Sequence, residues 1–129
     1  MAHDIYAISM SGMSYERARL EAAAHNIAHA NTISANATHV VKLKEVASVN
    51  SFASLLNSDS AHLTEVAQFK AVYKPQHALA DEKGFVYMPD VNIASEMLKM
   101  NSATRAYEAN VKAFNAYKTM SSKSMEIGK

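Results

Sequence analysis

Two histidines near the end of a predicted helix have the spacing of metal ligands. His25 and His29 lie four residues apart and therefore share one helix face. A zinc site needs three or four ligands, yet the sequence has neither the glutamate of a His-Glu-x-x-His arrangement nor an evident third ligand. The pattern therefore favours two polar residues near a helix end over a metal site.

No other combination of residues indicates catalysis. The sequence has no nucleophile motif, no glycine-rich phosphate loop and no obvious pair of acids, and Asp81-Glu82-Lys83 is typical of a solvated turn. The absence of cysteine excludes disulfides and thiolate metal sites. We therefore predict no catalytic residues, no metal, no cofactor and no small-molecule substrate.

The charge balance argues against polyanionic partners. Thirteen basic and twelve acidic residues give a formal charge of +1, which offers no strong attraction to nucleic acid or an anionic membrane. No apolar stretch approaches the roughly 18 residues of a membrane span, and the N-terminus lacks the basic-then-apolar pattern of a cleavable signal peptide. We expect a soluble chain with neither a membrane span nor a nucleic-acid partner.

Residues 1–33 and 91–129 are predicted to be mostly helical and to form the core of the protein. Each contains a stripe of mainly apolar residues at steps of three and four, the spacing that keeps one seam facing a partner helix. The N-terminal stripe comprises Tyr6, Met10, Met13, Leu20, Ala24 and Ile27, and the C-terminal stripe comprises Ile93, Met97, Met100, Tyr107, Val111, Phe114 and Met125. Either Asn92 or Asp90 can cap the C-terminal helix.

Residues 34–90 are predicted to form a small β-rich insert. Period-two stretches with β-branched or aromatic residues occur at 40–44 and 66–73, and Lys83-Gly84 predicts a turn into a strand at 85–87. Pro75 and Pro89 bound these segments and argue against helix there. The stretch 50–63 fits either a loop or a short helix.

The helices are too long for the chain's own core to cover. At about 1.5 Å per residue the C-terminal helix spans roughly 50 Å. A fully buried apolar side chain contributes about 1.5–3 kcal/mol, whereas ordering each residue costs about 1–2 kcal/mol. About seven stripe residues against some thirty-five ordered residues leave little surplus, so we expect neighbouring subunits to supply much of the stability.

Two sets of motifs connect the sequence to a known family. Residues 24–32 read Ala-His-Asn-Ile-Ala-His-Ala-Asn-Thr and resemble the N-terminal signature of flagellar rod, hook and related axial proteins, with His29 where asparagine is usual. Further motifs run over about 55 residues in the order found in rod protein C, a proximal rod subunit: Tyr73-Lys74-Pro75, Leu79-Ala80-Asp81, Gly84-Phe85-Val86, Met88 to Asn92, Glu96-Met97 and Arg105 to Asn110.

The resemblance implies a structural role in the bacterial flagellar basal body. In this family the terminal helices pair as a coiled coil and pack with those of adjacent subunits into a tube, while the middle segment forms a small outer β-domain. The rod crosses the periplasm and transmits torque. Its subunits leave the cytoplasm unfolded through the flagellar type III export apparatus, without a cleaved signal, and their partners are copies of themselves and other rod and axial proteins.

The polar residues of the motifs have two interpretations each. Asn26 and Asn110 could form hydrogen bonds that fix the register between subunits, or could cap a helix or be simply exposed. Arg105 and Glu108 could form a local ion pair or bridge neighbouring subunits. The predicted subunit-interface residues are Met13, Leu20, Ala24, Asn26, Ile27, Met97, Met100, Arg105, Tyr107, Asn110, Val111 and Phe114.

The sequence thus predicts a mainly α protein that acts as a structural, non-catalytic rod subunit. The alternative is a soluble helical adaptor or chaperone-like binding module, because methionine-rich amphipathic helices also suit that role. Rapid hydrogen exchange at residues 1–30 and 95–129 of the free chain would favour the rod subunit, and strong protection there in a dilute monomer would favour the adaptor.

Overall fold

The computed structural model describes residues 2–47 and 62–128 of the 129-residue chain. The chain begins with a long helix, α1 (Ala2–His29), and ends with a second, α2 (Ile93–Ile127). Between them in the sequence lie a short 3-10 helix (Ala37–His39) and four strands, β1 (Leu43–Val46), β2 (Leu63–Val66), β3 (Phe69–Tyr73) and β4 (Phe85–Pro89). This order confirms the prediction of a mainly α protein with a small β-rich insert. Most of the stretch 50–63 lies outside the described residues, and its last residue, Leu63, begins β2.

The boundaries of α2 follow from local sequence chemistry. The Asn92 side chain accepts a hydrogen bond from the Ser95 N–H at 3.1 Å, which confirms Asn92 as the N-terminal cap. No proline or glycine interrupts the helix until Gly128, whose N–H bonds to the Ser124 carbonyl at its end. The 35-residue helix therefore runs without a break past the part that α1 covers.

The two helices pack side by side in antiparallel directions. Near the start of α1, the Tyr6 ring lies edge-on to Phe114 and Tyr117, with centroid distances of 5.0 and 5.5 Å. Near the end of α1, Asn26 contacts Glu96 on the first turn of α2. The last turns of α2 consequently extend beyond the aromatic contact, and Met120, Met125 and Ile127 there are exposed.

Four of the seven buried hydrophobic residues among those the structure describes are alanines. Ala22 and Ala23 of α1, Ala30 just after it and Ala103 of α2 are buried, together with Leu43, Val86 and Met88 of the insert. By contrast, Ile93, Met97 and Tyr107 of the predicted α2 stripe are exposed. The chain's own helices therefore leave the stripe uncovered at these three positions, and their place in a seam with a neighbouring subunit stays a prediction.

The insert consists of two antiparallel hairpins. β1 pairs with β2, with Leu43 opposite Val66, and β3 pairs with β4, with Phe69 opposite Pro89. The predicted single stretch 66–73 is split at Ala67 and Gln68, where one hairpin ends and the next begins. Gly84 has φ of 82° at the turn into β4, as the sequence predicted, and this conformation favours glycine.

Candidate functional site

The side-chain amide of Asn26 joins α1 to both the insert and α2. Asn26 is 3 % exposed. Its Oδ1 accepts from the Lys44 N–H at 2.8 Å, and its Nδ2 donates to the Lys44 carbonyl at 2.9 Å and to Glu96 Oε2 at 3.3 Å. The amide thus gives β1 the donor and acceptor that a neighbouring strand would provide. Helix capping and simple exposure are both wrong for Asn26, and a role between subunits stays a prediction.

Charged side chains surround this amide. Glu96 is buried and accepts from Lys99 Nζ at 2.9 Å, while Lys44 Nζ lies 3.6 Å from Glu21 Oε1. A buried carboxylate needs partners of this kind because desolvation without them is costly. The cluster therefore fixes the end of α1, the start of α2 and strand β1 relative to one another.

Asn110 occupies the middle of the helix contact and lies against Gly12. A Cβ at position 12 would collide with Nδ2 of Asn110, so a larger residue there would force the Asn110 side chain to move. The Asn110 side chain is half-buried, and within the described part of the chain it forms no hydrogen bond. Its predicted role in register between subunits stays a prediction, with the amide available for it.

The remaining predicted interface residues fall into two groups. Met13, Leu20, Ile27, Met100, Val111 and Phe114 are half-buried, whereas Ala24, Met97, Arg105 and Tyr107 are exposed. Arg105 forms no ion pair with Glu108 or with any other described residue. The local ion pair is therefore wrong, and the exposed guanidinium is free to bridge to a neighbouring molecule.

Large apolar side chains are exposed along both helices. On α1 they are Ile5, Ile8 and Met10, and on α2 they are Ile93, Met97, Leu98, Tyr107, Met120, Met125 and Ile127. Leu98 is 72 % exposed and Met97 57 % exposed. Where exposed apolar side chains form a contiguous patch, they mark a site where another molecule binds. Within residues 2–47 and 62–128, neither helix has an apolar stretch long enough to cross a bilayer.

The two histidines hold the end of α1 in place. His25 Nε2 lies 3.1 Å from the Lys42 carbonyl, His29 Nδ1 lies 2.9 Å from the His25 carbonyl, and the ring centroids are 4.4 Å apart. Carbonyl oxygens only accept, so each of these nitrogens donates. No three His, Asp or Glu side chains in the described ranges come together in a way that could hold a metal ion.

Asp81 organises the loop between β3 and β4. Its Oδ1 accepts from the N–H groups of Lys83 at 2.9 Å and Phe85 at 2.8 Å, and its Oδ2 accepts from the Tyr87 hydroxyl at 3.2 Å. The Phe85 N–H contributes most to holding the pKa of Asp81 below its usual range, and the Asp81 carboxylate in turn raises the pKa of Tyr87. The predicted turn is confirmed, with Glu82 and Lys83 exposed, and the hydrogen bonds of Asp81 hold its shape.

Known proteins resemble the chain over nearly its whole length. The family described as flagellar basal body rod FlgEFG protein C-terminal matches residues 82–127. The flagellar basal-body rod protein FlgC of Escherichia coli O6:H1 is 32% identical over 97% of this chain and 96% of its own length. The FlgC proteins of Aquifex aeolicus and Bacillus subtilis are 33% and 34% identical, covering 95% of this chain in each case.

The chain belongs to the flagellar basal-body rod protein C family. Membership accounts for the motifs at both ends of the sequence. In this rod protein C family member, two of the motif residues have a structural role within the chain. Asn26 forms hydrogen bonds with the backbone of β1, and Asp81 stabilises the β3–β4 loop.

Sequence reasoning missed three residues of this family member that the structure brings into contacts between elements. Glu96 was noted only as part of a motif, and Lys44 only as part of a strand, although both bond to Asn26. Gly12 carried a usable signal, because an isolated glycine inside a helical pattern often marks a close approach. The partner of each contact is distant along the chain, so spacing alone could not reveal it.

Proposed function

We propose that this chain is a structural, non-catalytic subunit of the proximal rod of the bacterial flagellar basal body. The observation that carries the proposal is the match to rod proteins over nearly the full length of both chains. Because the alignments cover 93–97% of each chain, the terminal helices and the insert of this chain all fall largely within the aligned part. Each part then has a counterpart in a known rod subunit.

The proposed assembly uses the terminal helices. In it, α1 and α2 pair as a coiled coil and pack with those of neighbouring subunits into a tube that transmits torque. The exposed apolar residues Met97, Leu98, Met120 and Met125 support this arrangement, because burying them against a neighbour removes apolar surface from water. The insert then lies on the outside of the tube.

The proposed partners are copies of this chain and other rod and axial proteins. In this account the subunit reaches the rod, which crosses the periplasm, through the flagellar type III export apparatus and without a cleaved signal. Secretion of the chain should therefore stop when that apparatus is inactivated, while a protein exported through a cleaved signal continues to leave the cytoplasm.

A deletion test addresses the rod role itself. Removing the chain from a bacterium that carries it should abolish swimming, and restoring a tagged version should return both swimming and a tagged protein in purified basal bodies. Normal swimming without the chain would contradict the proposal, as would basal bodies that contain none of it.

The helical adaptor remains the second candidate, favoured by the exposed methionines of α2. It predicts a protected monomer or dimer that binds one partner with no higher assembly. Hydrogen exchange on the dilute free chain separates the two, because the rod proposal expects rapid exchange at residues 1–30 and 95–129 and the adaptor expects protection there.

A further inference from the structure

Each hairpin of the insert has one covered strand edge and one open edge. In an antiparallel ladder, alternate residues turn their N–H and C=O groups toward the partner strand and the others turn them away. The Asp90 N–H bonds to the Gln68 carbonyl and the Lys74 N–H to the Gly84 carbonyl, one at each end of the β3–β4 ladder. By this alternation, Phe69, Ala71 and Tyr73 turn their backbone groups outward from β3.

The opposite edge of this hairpin is covered within the chain. Tyr87 on β4 exchanges two backbone hydrogen bonds with Ser34, at 2.8 and 3.1 Å. Phe85 accepts from the Asp81 N–H at 2.9 Å and donates to Asp81 Oδ1 at 2.8 Å. The outward groups at these two positions of β4 are therefore all satisfied, and β3 is left as the accessible strand.

The β1–β2 hairpin repeats the arrangement. The Ala47 N–H bonds to the His62 carbonyl at the end of the ladder, so Leu63 and Glu65 turn their backbone groups outward from β2. On the other side, Asn26 covers the outward groups of Lys44. In the described part of the chain nothing bonds to the outward backbone groups of β2 or β3.

The two open edges carry opposite charge. Exposed Glu65 makes β2 acidic, whereas exposed Lys70 makes β3 basic and Lys74 directly follows it. Lys42 contacts Glu65 at 3.2 Å, but both side chains are more than half exposed, so this contact can be exchanged for another. Pairing β3 with a second β3 would instead bring lysines together, which is unfavourable.

We propose that β2 of one copy pairs edge to edge with β3 of a second copy. The inference rests on the proposed function, because a rod places copies of the chain beside one another. Pairing two different edges is heterologous, so each copy keeps one edge for the next copy and the contact continues along an open assembly instead of closing as a dimer. Opposite charges and unpaired backbone groups on both edges favour this pairing over either edge with itself.

The proposed strand pairing would also bury the exposed aromatic side chains of β3. Phe69 is 48 % exposed and Tyr73 is 64 % exposed. Each already meets a ring across the hairpin, Phe69 with Tyr87 at 6.2 Å and Tyr73 with Phe85 at 5.4 Å. A strand added beside β3 would cover the open flank of Phe69 and Tyr73, in the way that strand addition combines backbone hydrogen bonds with side-chain contacts.

Crosslinking between copies tests the pairing. Because the chain has no cysteine, the crosslinker can join two copies only through the cysteines that are introduced. Two differently tagged versions, Glu65→Cys and Ala71→Cys, are expressed together in cells that lack the unsubstituted chain. A short bismaleimide is then added to purified basal bodies. We expect a dimer that carries both tags, and none in strains with a single version. A dimer in either single-version strain, or no dimer in the mixed strain, would overturn the pairing.

A backbone test does not depend on the direction of the added strand. The Ala71 N–H faces outward, so Ala71→Pro removes it without removing a hydrogen bond of the hairpin, while Ala71→Ser is the matched control that keeps it. We expect the proline chain to be depleted in basal bodies by about tenfold relative to the serine chain. Equal incorporation of the two would overturn the inference.

The two proposals fail in different ways. Basal bodies that lack even the unsubstituted chain would refute the proposed function. Basal bodies that contain the chain but yield no dimer with both tags would refute the strand pairing alone.

Discussion

The Asn26 side chain on α1 forms two hydrogen bonds with the backbone of Lys44 on β1: it accepts from the N–H at 2.8 Å and donates to the carbonyl at 2.9 Å. A side-chain amide has the same donor and acceptor as a peptide group, so it can satisfy one residue of a strand edge. The third bond, from Nδ2 to Glu96, ties the same point to α2. One buried side chain therefore couples the insert to both helices.

Asn26→Ala should lower the free energy of unfolding by about 1–3 kcal/mol, because the Lys44 backbone groups and Glu96 lose buried partners. Asn26→Asp should cost more, since it also places a second carboxylate beside Glu96. Denaturant unfolding of the purified chain measures both. The exposed Asn101→Ala on α2 is the matched control and should change stability by less than about 0.5 kcal/mol. Equal effects of Asn26→Ala and Asn101→Ala would contradict the coupling role.

The contact between Gly12 and Asn110 predicts that one substitution depends on the other. Gly12→Ala improves helix propensity by about 1 kcal/mol, but in the native sequence the new Cβ collides with Nδ2 of Asn110. In an Asn110→Ala background the collision is gone, so Gly12→Ala should stabilise more there than in the native background, where the Asn110 side chain has to move. Thermal unfolding of the four chains checks this, and the same effect in both backgrounds would show that the helices do not approach as described.

The hydrogen bonds to Asp81 predict an acid-sensitive loop. The Phe85 N–H is the main cause of the lowered pKa of Asp81 in the folded chain. A carboxyl whose folded pKa lies below its unfolded value stabilises the fold above the unfolded pKa, and that contribution is lost as the pH falls through the folded pKa. Asp81→Asn should therefore weaken the fold at neutral pH and make its stability less dependent on acid pH.

Unfolding measured from neutral to acid pH tests this prediction for Asp81. Glu82→Gln, at the exposed next position, is the control and should leave the pH profile of the native chain unchanged. An Asp81→Asn profile parallel to that of the native chain would be incompatible with the role given to this carboxylate.

The exposed apolar residues of α2 should matter for assembly and not for folding. Leu98→Asp adds a charge where the side chain is 72 % exposed, so the unfolding free energy of the isolated chain should change by less than about 0.5 kcal/mol. Swimming in soft agar should nevertheless be lost, because a charge buried against a neighbouring subunit is costly. Asn101→Asp, also exposed on α2, is the charge-matched control. Normal swimming of the Leu98→Asp strain would remove this residue from the proposed interface.

Much of the fold could be predicted because its signals are local. A long periodic stretch without proline or glycine predicts α2, the Asn92 side chain sets its start, and Lys83-Gly84 sets the turn before β4. These features depend on residues a few positions apart. The class of protein could be predicted for the same reason, since each motif of the family is a short run of neighbouring residues.

The contacts between distant residues could not be predicted in the same way. Asn26 meets Lys44 only after α1 and β1 have docked, and the two buried residues of α2, Glu96 and Ala103, both lie outside the predicted stripe. The open edges of β2 and β3 depend on which residues cover the other edges, and Ser34, Asp81 and Asn26 gave no sign of this in their spacing.

An image of purified basal bodies at side-chain resolution tests most directly whether this chain is a rod subunit whose helices are completed by its neighbours. We predict density for α1 and α2 within the wall of the rod, with Met97, Leu98 and Met120 buried against adjacent subunits. A rod without this chain, or one in which these side chains face water, would contradict the account.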